Sequence, residues 1–245
     1  MTPRSKQNTG LGILLMSLTS LIFAMQDAIS RHLAGEYNVW MVVTIRFWFF
    51  ALFVLALSAR RPGGIIGQIR THHPWLQLSR GLLLIVEICI MVLAYVKLGL
   101  IATHAVFVCY PLLVAALSGP VLGEHVGWRR WTMIGVGFIG VLIILRPGTT
   151  VFSAWALVPL VSALMFALYG LLTRFVARQD APGTSFLWTG LVAVVAITPA
   201  GLWAWEPMNP GDWGWMAVLC LSGTLGHLMM IKAYDVAEAS DVQPF

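Results

Sequence analysis

Apolar residues run in long stretches along this chain, and polar residues gather in short clusters between them. Runs that read as bilayer crossings occupy 10–29, 39–58, 76–96, 101–117, 131–145, 154–172, 185–203 and 213–231. A crossing helix uses about 20 apolar residues, so the pattern predicts eight transmembrane helices. Pro and Gly, which stop helices and make turns, punctuate the gaps: Arg60-Arg61-Pro62-Gly63-Gly64, Arg146-Pro147-Gly148, Ala181-Pro182-Gly183 and Pro207-Met208-Asn209-Pro210-Gly211. Arg4 and Lys6 ahead of the first run imitate a signal peptide. The apolar pattern continues well beyond it, however, and the first run reads as an uncleaved helix.

Composition excludes a soluble globular domain. Of 245 residues, 59% are hydrophobic and 10% charged, against roughly 25% charged in ordinary soluble domains. Eight spans also leave no room for a sizeable extramembrane domain. The net charge of +5 does not point to nucleic acid, because the basic residues fall between apolar runs rather than on one face or in a tail. They report topology instead. Of the 15 Lys and Arg, Arg46 and Arg80 lie inside runs, ten lie in the N-terminus and even-numbered gaps, and three lie in odd-numbered gaps. That bias predicts a cytoplasmic N-terminus. Nine of the 11 Trp fall at span ends, where an amphipathic ring prefers the headgroup region; Trp48 and Trp188 lie within spans. Cys89, Cys109 and Cys220 sit inside apolar runs with no ligand-like spacing, so neither a disulfide nor a metal site is expected.

The chain also matches itself. A shift of 143 residues sets 19–34 against 162–177 with five identities: Leu21/Leu164, Phe23/Phe166, Ala24/Ala167, Arg31/Arg174 and Ala34/Ala177. A weaker echo sets Ala94-Tyr95 against Ala233-Tyr234. Helix one thus corresponds to helix six. Five helices per repeat is an odd number, so the two copies run oppositely through the bilayer, an arrangement suited to alternating access.

Further residues carry a family likeness: Pro111-Leu112-Leu113-Val114-Ala115-Ala116, then Leu122-Gly123-Glu124, Trp128-Arg129-Arg130-Trp131, and the stretch from Gly135 to Gly140 followed by Val141-Leu142-Ile143. In their order and spacing, together with the duplication, the chain resembles the EamA-type branch of the drug/metabolite transporter superfamily. The resemblance implies ten helices in two inverted five-helix repeats around a central cavity that carries small organic metabolites. The expected fold is therefore an all-α polytopic membrane protein with a first repeat over 1–148 and an incomplete second over 149–245, eight helices being present. Against the family pattern the chain stops where helix nine should begin, at Asp241-Val242-Gln243-Pro244-Phe245, and reads as truncated.

Candidate chemistry lies inside the spans. Glu87 falls near the middle of helix three, where an ionised carboxylate costs several kcal/mol unless it faces protein, water or a partner. Arg46 falls in the outer half of helix two. At 1.5 Å per residue its depth differs from that of Glu87 by roughly 4 Å, so it is a candidate either for capturing a substrate anion or for a gated pair with Glu87; the competing reading is snorkelling. Asp27 precedes Arg31 by four residues, the spacing of an ordinary helical ion pair. Arg80, one turn above the inner end of helix three, is expected to snorkel or bind lipid phosphate. His104 and His227 are candidates for substrate hydrogen bonding or titration, or for interhelical packing. Phe107, Tyr110, Trp48 and Tyr169 form an aromatic set suited to stacking on a flat ring, or simply to packing. Pro111 interrupts a helix in its middle, where freed carbonyls often line cavities.

No nucleophile elbow, zinc-binding histidine pair, Walker loop or strand–glycine–helix unit is present. The reading is a secondary transporter of small organic metabolites, leaning toward ring-bearing cargo such as a vitamin, nucleoside or S-adenosylmethionine, and not an enzyme. An inactive or regulatory fragment is the alternative, with an integral membrane enzyme behind it. No cofactor is expected. The expected partners are the substrate and the lipid bilayer, with a homodimer left open.

Overall fold

Every predicted run finds a helix in the computed structural model, which describes residues 8–123, 127–145, 155 and 157–242. The helices are α1 (Thr9–Glu36), α2 (Val39–Ala59), α3 (Gly64–Ile69), α4 (Pro74–Leu98), α5 (Leu100–Phe107), α6 (Tyr110–Leu122), α7 (Trp128–Leu145), α8 (Leu157–Val176), α9 (Pro182–Trp203), α10 (Asp212–Val236) and α11 (Ala239–Val242). The described residues contain no strand. Seven stretches are long and apolar enough to cross a membrane, α5 and α6 counting together as Leu100–Leu122, while in α7 the apolar stretch Trp131–Gly140 is shorter. The protein is an all-α, multi-pass membrane protein. Arg4, Lys6, Glu124, Arg146-Pro147-Gly148 with the expected repeat junction at 148–149, and Gln243-Pro244-Phe245 lie outside the described residues, as do the side chains of Arg129 and Arg130.

Two differences from the sequence reading have local causes. The fourth run is broken. Pro111 has no N–H to offer and its ring collides with the carbonyl four residues back, so α5 ends at Phe107 and α6 restarts with Pro111 in its first turn. The first run is longer than its apolar core: α1 continues to Glu36, so Arg31 is a helical residue and not part of a gap. Glycines in left-handed backbone conformation flank the broken span, Gly99 at φ 83° before α5 and Gly123 at φ 71° after α6.

Loops from alternate gaps meet at opposite faces, as serial crossings require. At one face Asn38 caps α2 by accepting from the Met41 amide (2.8 Å), and its Nδ2 donates to the Ala204 carbonyl (2.8 Å) and Glu206 Oε1 (2.6 Å). Tyr37 donates to Asp212 there at 2.6 Å. At the other face Asp180, in the α8–α9 turn, binds the segment before α4, and Arg178 donates to the Leu122 carbonyl at 2.6 Å. The nine span-end tryptophans are all exposed.

Helix packing shows a regular exchange: α1 lies along α10, α2 along α9, and α4 along α8. In the 143-residue register α1 corresponds to α8 and α4 to α10, so the first pairing maps onto the third and the second onto itself. A side-chain detail follows the tyrosine echo, Tyr95 and Tyr234 standing 139 residues apart, four short of that register. Tyr95 of α4 and Asp27 of α1 line the same cavity wall, and a Cβ added at Gly170 of α8, the position matching Asp27, would lie 2.6 Å from the Tyr234 hydroxyl of α10.

Candidate functional site

One face of α1, built from Ser20, Phe23, Ala24 and Asp27, has helical i, i+3, i+4, i+7 spacing and lines a cavity of about 280 Å³. From α4 come Glu87, Met91 and Tyr95, from α2 Arg46, and from α10 His227. His104 and Phe107 of α5, Val108 just after it, Tyr110 of α6 and Phe166 of α8 add to the wall. The mouth lies between α1 and α5, where Ala24 and Val108 are exposed and the His104 side chain is 42% exposed. The break before Pro111 allows Phe107 and Tyr110 to share this wall, their rings 5.0 Å apart and both packed on Phe166.

Of the nine residues singled out from sequence, seven converge here: Asp27, Arg46, Glu87, His104, Phe107, Tyr110 and His227. Trp48 and Tyr169 do not line the cavity. Trp48 donates to Thr198 Oγ1 at 2.9 Å and stacks on Trp205, away from the charged wall. Tyr169 is fully buried behind the wall, stacked on Phe166 and edge-on to His227, their ring centroids 6.4 Å apart. Asp27 does not make the within-helix ion pair with Arg31. Its Oδ2 lies 3.4 Å from His104 Nε2, and Arg31 is exposed.

The buried charges are unevenly provided for. Glu87 Oε1 accepts from Ser162 at 2.7 Å, a clamp between α4 and α8. Arg46 Nη2 lies 3.5 Å from His227 Nε2, and its guanidinium sits 5.9 Å from the Phe47 ring. A Cβ at Gly223 would come within 2.6 Å of Arg46 Nε, so α10 gives up a side chain to seat this arginine. Because an arginine only donates, His227 accepts at Nε2 and carries its hydrogen on Nδ1, an atom that is buried with no partner. Gln26 Oε1, also on the wall, is buried without a partner.

Below the cavity the packing is closed by residues that the sequence reading assigned to lipid or left aside. Arg80 does not snorkel; it is fully buried. It donates to Gln77 Oε1 (2.8 and 3.2 Å), to Tyr169 Oη (3.3 Å), to Thr173 Oγ1 (3.2 Å) and to the Ser185 carbonyl, and it lies 5.3 Å from the Tyr169 ring. Gln77 Nε2 in turn donates to Asp180 Oδ2 (2.9 Å) and Ser185 Oγ (3.1 Å). Asp180 also accepts from the Thr71 hydroxyl, the His72 amide (3.0 Å) and the His72 ring (3.2 Å). Burial pushes the Asp180 carboxyl up, but these hydrogen bonds outweigh it and hold the group below the usual aspartate value. Gln26, Tyr95, Phe166 and Ser162 join the site unpredicted. A polar residue inside an apolar run was the available signal for Gln26, and the repeat echo was the signal for Tyr95.

Comparison with known proteins agrees with this architecture. The model of the EamA-like transporter family matches residues 10–146. The chain is similar to an S-adenosylmethionine uptake transporter of Rickettsia felis, 24% identical over 237 residues that cover 97% of this chain and 79% of that protein. It is similar also to riboflavin transporters of Vibrio cholerae, 28% identical over 242 residues (96% and 79% covered), and of Rhizobium johnstonii, 27% identical over 240 residues (96% and 78% covered).

Proposed function

The chain belongs to the EamA-like transporter family, and from that premise we propose that it is a secondary transporter moving a ring-bearing small metabolite by alternating access through the cavity between α1, α4, α5 and α10. That it is a membrane transporter of small metabolites follows from the family and its relatives. The ring-bearing cargo rests on the aromatic wall of Phe107, Tyr110 and Phe166, together with relatives named for S-adenosylmethionine and riboflavin. The membrane is a bacterial inner membrane, and the N-terminus lies in the cytoplasm, as the distribution of Lys and Arg favours.

One observation carries the reading. Two buried charged side chains, Arg46 and Glu87, and the partly buried Asp27, from three different helices, converge on one cavity within the membrane-spanning region, and intramembrane ionisable groups cost too much to be kept there without use. The repeats 1–148 and 149–245 form the two halves that rock. The exchange of helix pairs and the placement of Tyr95 with Asp27 and of Tyr234 with Gly170 support that division. The Asp180–Gln77–Arg80 network is the closed inner gate of the arrangement seen here.

A ligand-panel thermal-shift screen followed by flux into proteoliposomes tests the proposal. Glu87→Gln and Arg46→Ala should each lower flux of the cargo so identified at least tenfold. Unchanged flux in both variants would remove the cavity from the transport path.

A further inference from the structure

Arg46 and Glu87 face one cavity without forming an ion pair. They are 5% and 3% exposed, line the same cavity, and lie within electrostatic reach of each other. Yet among the described residues no carboxylate oxygen comes within 4.0 Å of the Arg46 guanidinium, and no cationic nitrogen within 4.0 Å of Glu87. Arg46, with five N–H groups to place, has only the long 3.5 Å approach to His227. Glu87 has one hydroxyl donor, on one of its two oxygens. Beside Arg46 the His227 Nδ1–H is a further buried donor with nothing to bind.

Each deficit costs free energy in the empty protein. Buried charges need paired or hydrogen-bonded partners, and a buried donor left open loses its hydration without compensation. A ligand that carries an anion and a cation a few bonds apart satisfies both ends at once. Its anionic group takes the open donors of Arg46, and its cationic group takes the free oxygen of Glu87, with Asp27 adding negative potential from the same wall. A neutral flat ring fills the aromatic part of the cavity but leaves all of these groups open. Sites with buried hydrogen-bonding groups reject most strongly the analogue that cannot satisfy them.

We propose that Arg46 and Glu87 are the specificity-determining pair of this cavity, and that they select a zwitterionic metabolite, an α-amino-acid head joined to a flat ring, over a neutral ring of similar size. This rests on the transporter reading above and sharpens it to a cargo class. His227 steadies the Arg46 guanidinium through its Nε2, and the ring of the cargo lies against Phe107, Tyr110 and Phe166.

The test uses the whole chain in proteoliposomes and matched probes: S-adenosylmethionine and its decarboxylated form, tryptophan and tryptamine, and riboflavin. The wild-type protein should move at least one zwitterion, at least tenfold faster than the partner that lacks the carboxylate and tenfold faster than riboflavin. Arg46→Gln should erase the preference between the two members of that pair, while its thermal midpoint in detergent stays at the wild-type value. That loss of discrimination is a readout a merely structural arginine would not produce. Glu87→Gln should slow both members, since both keep the cation. Riboflavin flux that equals or exceeds that of every zwitterion, or equal flux of a zwitterion and its decarboxylated partner, overturns the pair and leaves the transporter standing. An absence of flux for all five probes fails the ring-bearing transporter reading itself, and the pair with it.

Discussion

Among the described residues two arginines, Arg46 and Arg80, lie buried, and they are provided for in opposite ways. Arg80 has every nitrogen engaged: Nε and Nη2 on Gln77, Nη2 also on the Ser185 carbonyl, and Nη1 on Tyr169 and Thr173. Arg46 has one approach at 3.5 Å and a wall of open space. The same side chain therefore does two jobs. A saturated guanidinium ties α4 to α8 and α9 and holds the packing shut beneath the cavity. An unsaturated one keeps its bonding capacity for something that arrives. Burial and residue type do not separate these cases; the completeness of the hydrogen-bond set does.

Substitutions that remove a partner from the saturated region should cost stability, and those in the unsaturated region should cost function alone. The largest effect belongs to Arg80→Ala, which strands Gln77 Oε1 and removes a donor from the Ser185 carbonyl and from the Tyr169 and Thr173 hydroxyls; a loss of about 3–5 kcal/mol is expected, read as a collapse of the thermal midpoint in detergent. A midpoint within two degrees of wild type would show that Arg80 is not the closure.

Next comes Asp180→Asn, which weakens the outer end of the same network by about 2 kcal/mol. Here the sign of the pH dependence is defined. The folded carboxyl lies below its ordinary value of 3.8, so its contribution is full above that value and is lost as the pH falls through the still lower folded value. The wild-type midpoint should therefore drop more steeply than that of Asp180→Asn as the pH is lowered below about 4.

Arg46→Gln should shift stability by less than about 1 kcal/mol in either direction, because little of its bonding capacity is used, while flux falls at least tenfold. A large destabilisation there would erase the contrast between the two arginines. The smallest change is Gly223→Ala. Its methyl would come 2.6 Å from Arg46 Nε, and the arginine must shift, so a severalfold rise in KM with an unchanged midpoint is expected.

The crossings were legible because length and apolarity are one-dimensional properties: a run that spans a bilayer declares itself. Facing was much less so. Lipid and protein interior are both apolar, so a helix such as α2, hydrophobic on all sides, carries no stripe to say that Arg46 turns inward and Trp48 away. Charged residues escaped that ambiguity, since their desolvation cost drives them to a shared cavity, and Asp27, Arg46 and Glu87 duly meet. Arg80 escaped the sequence reading for a different reason. Its depth near a helix end fits snorkelling equally well, and the partners that bury it come from α8 and α9, roughly 90 to 105 residues away. The short α3 and the break at Val108–Cys109 lay below the resolution of an apolar run, although Pro111 marked the second.

Gly223 has a meaning for how such a protein could change over generations. The seat of the cavity's one arginine is bounded on α10 by a backbone hydrogen rather than a side chain, and a glycine codon becomes alanine or serine by a single base change. The position of the positive charge, and with it the cargo accepted, thus lies one mutational step from its present setting while the helices around it stay as they are. Relatives alike along most of their length, yet named for a charged sulfonium metabolite and for a vitamin, are what a family with so adjustable a wall would be expected to contain.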